Sequence, residues 1–173
     1  MNETLKVLKE RRSCRKFQQK QIKKEELDAI LEAGIYAPTG AGKQSPIIVV
    51  IQDKETIEKI SKLNAAIAGT TLDPFYGAPT LLVVLADKKV ITYVEDGSLV
   101  MGNMLNAAHA VGLGSCFIYR AKEEFETEEG KALLMAWGIQ ENYVGIGNCI
   151  LGYAADGGIA PAMSRKNDYI IRV

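Results

Sequence analysis

The stretch from Asp96 to Phe117 constrains this chain more than any other. Asp96 is a residue type that caps helix N-termini, and Leu99, Val100, Met104, Leu105, Ala108 and Val111 recur at helical spacing. Gly112 stands where a helix end favours a left-handed residue. The pattern predicts a helix of about four turns. Its sides are almost all apolar or small, leaving a thin polar line through Gly102, Asn103, Asn106 and His109, so burial on most sides is expected. Those polar groups need partners, from neighbouring chain, a second subunit or a ligand.

At 173 residues the chain has the length of one domain and can bury a sizeable core. Its 21 Lys+Arg balance 21 Asp+Glu, which gives no overall field to draw nucleic acid or an anionic membrane. The balance is uneven, however: residues 1–24 carry nine basic side chains against two acidic ones. Cys14, Cys116 and Cys149 are widely spaced and fit free thiols in a reducing cytoplasm. A single histidine cannot build a His-rich zinc site, and no apolar run suggests a signal peptide or a membrane helix.

Thr4 to Glu10 starts a helix with Leu5 and Leu8 on one face, and it runs into Arg-Arg-Ser-Cys-Arg-Lys-Phe at 11–17. Three guanidinium groups and a hydroxyl within five residues fit a phosphate clamp. They fit equally a basic helix end that complements its own dipole. Lys24 to Ile35 is an amphipathic helix, with Leu27, Ile30, Leu31, Gly34 and Ile35 on one face and acids in its first turn. The loop from Ala37 to Pro46 contains Gly-Ala-Gly-Lys, close to a phosphate-binding lysine loop. That mechanism requires a preceding strand, a following helix and a hydroxyl after the lysine; here a helix precedes, the strand Ile47 to Ile51 follows, and Gln44 takes the hydroxyl's place.

Asp53 is expected to cap a helix reaching about Ala68, and Gly69 to Pro79 to form a loop whose Phe75 and Tyr76 either cover a site or pack on the surface. Thr80 to Ala86 reads as a central strand and Cys116 to Tyr119 as a short one. Lys122 to Trp137 reads as an acidic surface helix closed by Gly138. Tyr143 to Tyr153 reads as a strand whose three glycines admit another backbone or a ligand.

Taken together, Arg11-Arg-Ser-Cys-Arg-Lys-Phe17, Ala37-Pro-Thr-Gly-Ala-Gly-Lys-Gln44, Gly112-Leu-Gly-Ser-Cys116, Ile150-Leu-Gly-Tyr153 and Arg165-Lys166 resemble the nitroreductase family of FMN-dependent oxidoreductases. The motifs stand in that family's order and span nearly the whole chain. The resemblance implies an α+β fold, a three-layer sandwich of helices around a mainly antiparallel sheet, in one domain over residues 1–173. It implies a homodimer with FMN at the subunit interface and a C-terminal tail, from about residue 155, that extends to the partner subunit.

By the same resemblance Arg11, Arg12, Ser13 and Arg15 hold the FMN phosphate and ribityl chain, joined by Arg165 and Lys166. Lys43 and Gln44 face the pyrimidine edge of the ring, and the backbone of Tyr119 and Arg120 faces the flavin N5. The implied chemistry passes a hydride from NADH or NADPH through that nitrogen to a nitroaromatic, quinone or similar acceptor, with no catalytic side chain; the alternative is a flavin-binding protein that stores or senses FMN without turnover. Two departures stand out: Gly42 replaces the Asn found in many members, and Pro46 replaces an aromatic. Cys14 and Cys116 adjoin the implied flavin segments but are expected to serve as core packing.

Overall fold

The apolar periodicities resolve into six helices and four strands in the computed structural model, which describes residues 2–173. In chain order they are α1 (Glu3–Glu10), α2 (Lys24–Ile35), β1 (Pro46–Ile51), α3 (Lys54–Ala68), β2 (Thr80–Asp87), α4 (Tyr93–Ala110), β3 (Gly114–Ile118), α5 (Ala121–Glu126), α6 (Glu128–Ala136) and β4 (Tyr143–Gly152). The strands form one antiparallel sheet in the order β1-β2-β4-β3.

Strand β2 explains the layering. Its residues from Thr80 to Ala86 are all buried, and successive side chains point to opposite faces. Leu81, Val83 and Leu85 pack into a core with Ile57 and Ile60 of α3, Phe125 of α5 and Leu134 of α6. Leu82 and Val84 pack into a second core with Leu27 and Ile30 of α2 and Val100, Met101 and Met104 of α4. The result is the expected α+β sandwich of three layers.

Several local expectations need correction. Helix α4 begins at Tyr93, a turn before Asp96, with Thr92 as its N-cap residue. Asp96 is buried instead, because two donors from the loop at 40–45 and the hydroxyl of the Thr92 cap make a better home for a carboxylate than one helix end. The Gly40 N–H donates to it at 2.9 Å, the Ser45 hydroxyl at 2.7 Å and the Thr92 hydroxyl at 3.2 Å. Gly112 does close the helix in the left-handed region, at φ +82°. Ile35 shares the stripe of α2 in sequence but projects beyond its packed end, 72% exposed. Phe75 is neither lid nor surface; it is a core residue.

The segment 122–137 is two helices. Thr127 breaks it: its side chain accepts from the Gly130 N–H as the N-cap of α6, and Gly130 lies so close to the Glu124 carbonyl that a Cβ there would sit 2.0 Å from it. Nor is the segment all surface, since Ala121, Glu124 and Phe125 are buried.

The glycines of β4 are there for protein neighbours. A Cβ on Gly145 would lie 2.2 Å from the Ala121 carbonyl oxygen, and one on Gly147 would lie 2.5 Å from the Phe117 ring. The backbone of Ala121 cannot step aside without uncoupling α5 from the sheet. Gly145→Ala is therefore expected to destabilise the fold by about 1–3 kcal/mol through overpacking. Thermal unfolding checks this, and a variant that melts with the wild type would contradict the packing described.

Candidate functional site

Residues 13–18 sit between two other segments of the chain. On one side the Cys14 N–H donates to the Ser115 carbonyl at 2.8 Å, and Ser13 bridges Ser115 in parallel register on β3. On the other, the Arg15 N–H donates to Gly158, the Ala155 N–H to Lys16 and the Gln18 N–H to Tyr153, at 2.8–2.9 Å. The N-terminal arginine cluster and the segment after β4 are thus tied into the same sheet edge.

Within the cluster the side chains divide. Arg12 turns back on α1, its guanidinium donating to the Lys9 and Arg11 carbonyls at 2.7 Å each. That satisfies orphan carbonyls at a helix C-terminus, the dipole-complementing role open to a basic residue there. Arg11 is half-buried and Arg15 exposed. Cys14 between them is fully buried, and burial raises its pKa, which keeps the thiol protonated. Cys116 and Cys149 are likewise buried free thiols.

Lys43 and Gln44 lie on an exposed loop that follows a 3-10 turn over Gly40–Gly42. Asp96 holds that loop from beneath through Gly40 and Ser45, one on each side of the pair. Burial pushes the Asp96 carboxyl up, but the bonds from Ser45, Gly40 and Thr92 outweigh it and leave its pKa below the usual value, so it stays ionised. Tyr119 and Arg120 form the turn between β3 and α5, with the Arg120 guanidinium 5.8 Å from the Tyr119 ring centroid. Ala41, Gln44 and Arg120 all have positive φ, at +50°, +48° and +81°. Such strain in non-glycine residues persists only where surrounding contacts hold it.

Below the Tyr119–Arg120 turn lies a buried polar cluster that the sequence reading missed. Asn64 of α3 donates to the Tyr119 carbonyl at 2.7 Å and also to the Glu124 carboxyl. Asn148 of β4 donates to both Glu124 oxygens at 2.9 Å. All three side chains are fully buried. Asn64 had a signal: it falls on the inward stripe of α3 with Ile57, Ile60 and Ser61, a polar residue at a core position. Glu124 had none, being one acid among several in a helix that reads as solvated.

Arg165 and Lys166 stand in the exposed tail, and their contacts are local. Arg165 donates to the Met163 carbonyl at 2.9 Å, and Lys166 lies 3.8 Å from Asp168 and over the Tyr169 ring. The structure therefore groups Arg11, Arg12, Ser13 and Arg15 on one extended segment beside β3, whose end carries Tyr119 and Arg120. It keeps Lys43 and Gln44 on the Asp96-anchored loop and leaves the tail pair apart. A separate groove of about 540 Å³, lined by Ile57, Ser61, Leu72 and Phe75 among others, includes none of these residues. Among the described residues no group of three His, Cys, Asp or Glu could hold a metal ion, and no helix is long and apolar enough to cross a membrane.

Burial raises the Glu124 pKa to about 7, against the lowering effect of the bonds from Asn148 and Asn64. A carboxyl whose folded pKa exceeds its unfolded value stabilises fully below the unfolded pKa and loses that contribution as pH rises through about 7. Glu124→Gln, which cannot ionise, is expected to melt progressively higher than the wild type between pH 5 and pH 8. Melting curves that stay parallel across that range would show that Glu124 ionises freely in the folded protein.

Known proteins resemble this chain in sequence and in fold. The model of the nitroreductase family matches residues 8–74, from the end of α1 through the loop before β2. A protein of Archaeoglobus fulgidus named as an NADH dehydrogenase/NAD(P)H nitroreductase is 35% identical over 161 residues, covering 90% of this chain and 88% of that one. An FMN reductase [NAD(P)H] of Bacillus subtilis is 29% identical over 138 residues, covering 66% of this chain and 53% of its own length. Among solved structures, a nitroreductase with bound FMN from Bacteroides fragilis superposes with a TM-score of 0.92 at 31% identity, covering all of both chains. One from Desulfitobacterium hafniense, also with bound FMN, gives 0.89 at 28% identity over 100% of this chain and 99% of that one. On its sequence and its fold alike, this chain belongs to the nitroreductase family.

Proposed function

We propose that this protein is an FMN-dependent oxidoreductase that takes a hydride from NADH or NADPH and delivers electrons to a small acceptor such as a nitroaromatic or a quinone. One observation carries the reading: the arginine-bearing segment 11–15 and the chain that leads to Arg165 are stitched together at one sheet edge, next to the strand that ends in Tyr119 and Arg120. The family's FMN-bound relatives cover this architecture from end to end.

The residues present suit the cofactor. Arg11, Arg15 and Ser13 supply cationic and hydroxyl donors for a phosphate, and guanidinium forks match phosphate geometry. Ile159 bridges Cys14, and Arg165 follows six residues later, a span of up to ~20 Å that is long enough to bring it to the same anion without moving the sheet. Lys43 and Gln44 present donors that favour negative charge on the pyrimidine side of the ring. FMN, when bound, supplies the redox chemistry at its N5. The chain's part is to hold the phosphate, aim backbone donors at the ring and keep both substrates over one face, so no acid or base side chain is required.

A homodimer fits what the chain leaves uncovered. Leu5 and Leu8 on α1 are 52% and 54% exposed, and Tyr36, Leu99 and the tail residues Tyr169, Ile170 and Ile171 are exposed as well. Apolar side chains exposed on helices and tail together are what an association surface would cover. A second copy covers them and closes the flavin cavity, with the tail lying across the partner only beyond Ile159, because residues 155–159 are tied to the chain's own residues 14–16 and do not leave at about residue 155 as the sequence suggests.

Arg11→Ala and Arg165→Ala should each weaken FMN binding by roughly 10- to 100-fold, the loss of one charge-assisted contact of about 1.5–3 kcal/mol. Fluorescence titration of the purified variants measures this, and affinities within twofold of the wild type would remove the phosphate assignment. Steady oxidation of NADH or NADPH that depends on FMN and on an added nitroaromatic or quinone establishes turnover. Flavin uptake without such oxidation would leave a flavin-binding protein that does no chemistry.

A further inference from the structure

The peptide between Tyr119 and Arg120 is oriented by side chains from two other elements. Its carbonyl points inward, where the Asn64 amide of α3 donates to it at 2.7 Å. The peptide is trans, as are all peptide bonds among the described residues, so the Arg120 N–H points the opposite way, outward from the core. That N–H donates to no group among the described residues, while the Arg120 carbonyl is taken by the Glu124 N–H at 2.9 Å. Arg120 holds φ +81° to make this possible, a conformation a side-chain-bearing residue rarely adopts.

What fixes Asn64 is Glu124. The same amide nitrogen that binds the Tyr119 carbonyl binds the Glu124 carboxyl, and Asn148 clamps that carboxyl from β4. As an element of stability the cluster is a poor choice: it buries a carboxyl and two amides completely, and the carbonyl oxygens of Asn64 and Asn148 find no partner. Apolar residues of similar shape would fill the space at less cost. Its one outlet towards the surface is the Tyr119 carbonyl. The charged groups facing Glu124 are Glu123 on α5 and Arg120 at its N-cap, while α3 and β4 offer it only neutral amides.

We propose that Asn64 and Glu124 are positioning residues for reduction of the flavin: the carboxyl holds the Asn64 amide, the amide holds the Tyr119 carbonyl inward, and the peptide presents the Arg120 N–H to N5. The proposal rests on the reading that this turn faces the flavin. A fixed donor aimed at the reacting atom costs no reorganisation during the reaction, whereas a peptide free to rotate must first be oriented.

The test uses the FMN-loaded protein, mixed anaerobically with NADH while flavin absorbance is followed. Asn64→Leu, and the triple variant Asn64→Leu/Glu124→Leu/Asn148→Leu, which replaces all three side chains of the cluster by apolar ones and so leaves none of their amides unpaired, should lose at least about tenfold in the flavin reduction rate at saturating NADH. FMN affinity and the NADH concentration for half-maximal rate should stay within about threefold. Glu124→Leu alone should be slowed, and Glu124→Gln, which still accepts from Asn64, should recover most of that loss. Asn64→Leu reduced as fast as the wild type would overturn the proposal while leaving the assigned function intact. So would rate losses that only follow lost flavin, or that Glu124→Gln fails to recover. A wild type that takes up no FMN, or whose bound FMN is not reduced, removes the assigned function and the proposal with it.

Discussion

The backbone pairing of residues 13–18 on two sides at once is the constraint on which the rest of this molecule depends. Residues rich in arginine repel one another and have little reason to lie in register with a hydrophobic sheet. Here Cys14 and Phe17, both buried, supply the apolar side while the arginines stay half-buried or exposed. The backbone bonds to Ser115 and to residues 153–158 then hold the strip between β3 and the last segment of the chain. An anion-binding site made from remote parts of a sequence needs such a seam, because flexible cationic side chains alone would spend their affinity on ordering themselves.

Two buried carboxyl groups do for the loops what the seam does for the strip, and they do it in opposite ways. Asp96 stays ionised because three donors converge on it, and through Gly40 and Ser45 it fixes the strained loop that carries Lys43 and Gln44. Glu124 accepts hydrogen bonds only from neutral amides and is pushed by burial towards the protonated form, yet it reaches the other strained turn through Asn64. Each of these two strained turns is thus tied to a buried carboxyl, directly at Gly40 and Ser45 and through Asn64 at Tyr119. In a close-packed interior such anchors have few alternative arrangements, which is why the turns keep their unusual dihedral angles.

How much of this was legible in the sequence follows from the range of the interactions. Helix α2 is found where its periodicity puts it, Asp53 caps α3, and Gly112 ends α4, because each depends on neighbours within a turn or two. Asp96 reads as a cap because two of its three partners, Gly40 and Ser45, lie about fifty residues earlier in the chain. The break at Thr127 was hidden by acids that suit a solvated helix, and only the close approach of Gly130 to Glu124 makes it necessary. The arginine cluster and the loop at 43–44 were visible as chemistry, through residue type and spacing. The cluster of Asn64, Glu124 and Asn148 was not, because three polar residues from α3, α5 and β4 meet only once the sheet has formed.

The central claim is that the seam at residues 11–15, the turn at Tyr119–Arg120 and the loop at 43–44 surround a single flavin. A crystal structure of the protein with FMN tests it most directly. The account predicts the phosphate against Ser13 and the Arg11 or Arg15 guanidinium, with N5 facing the Arg120 N–H. Density for the flavin in the groove between α3 and residues 71–79, or a phosphate held by none of those side chains, would contradict it.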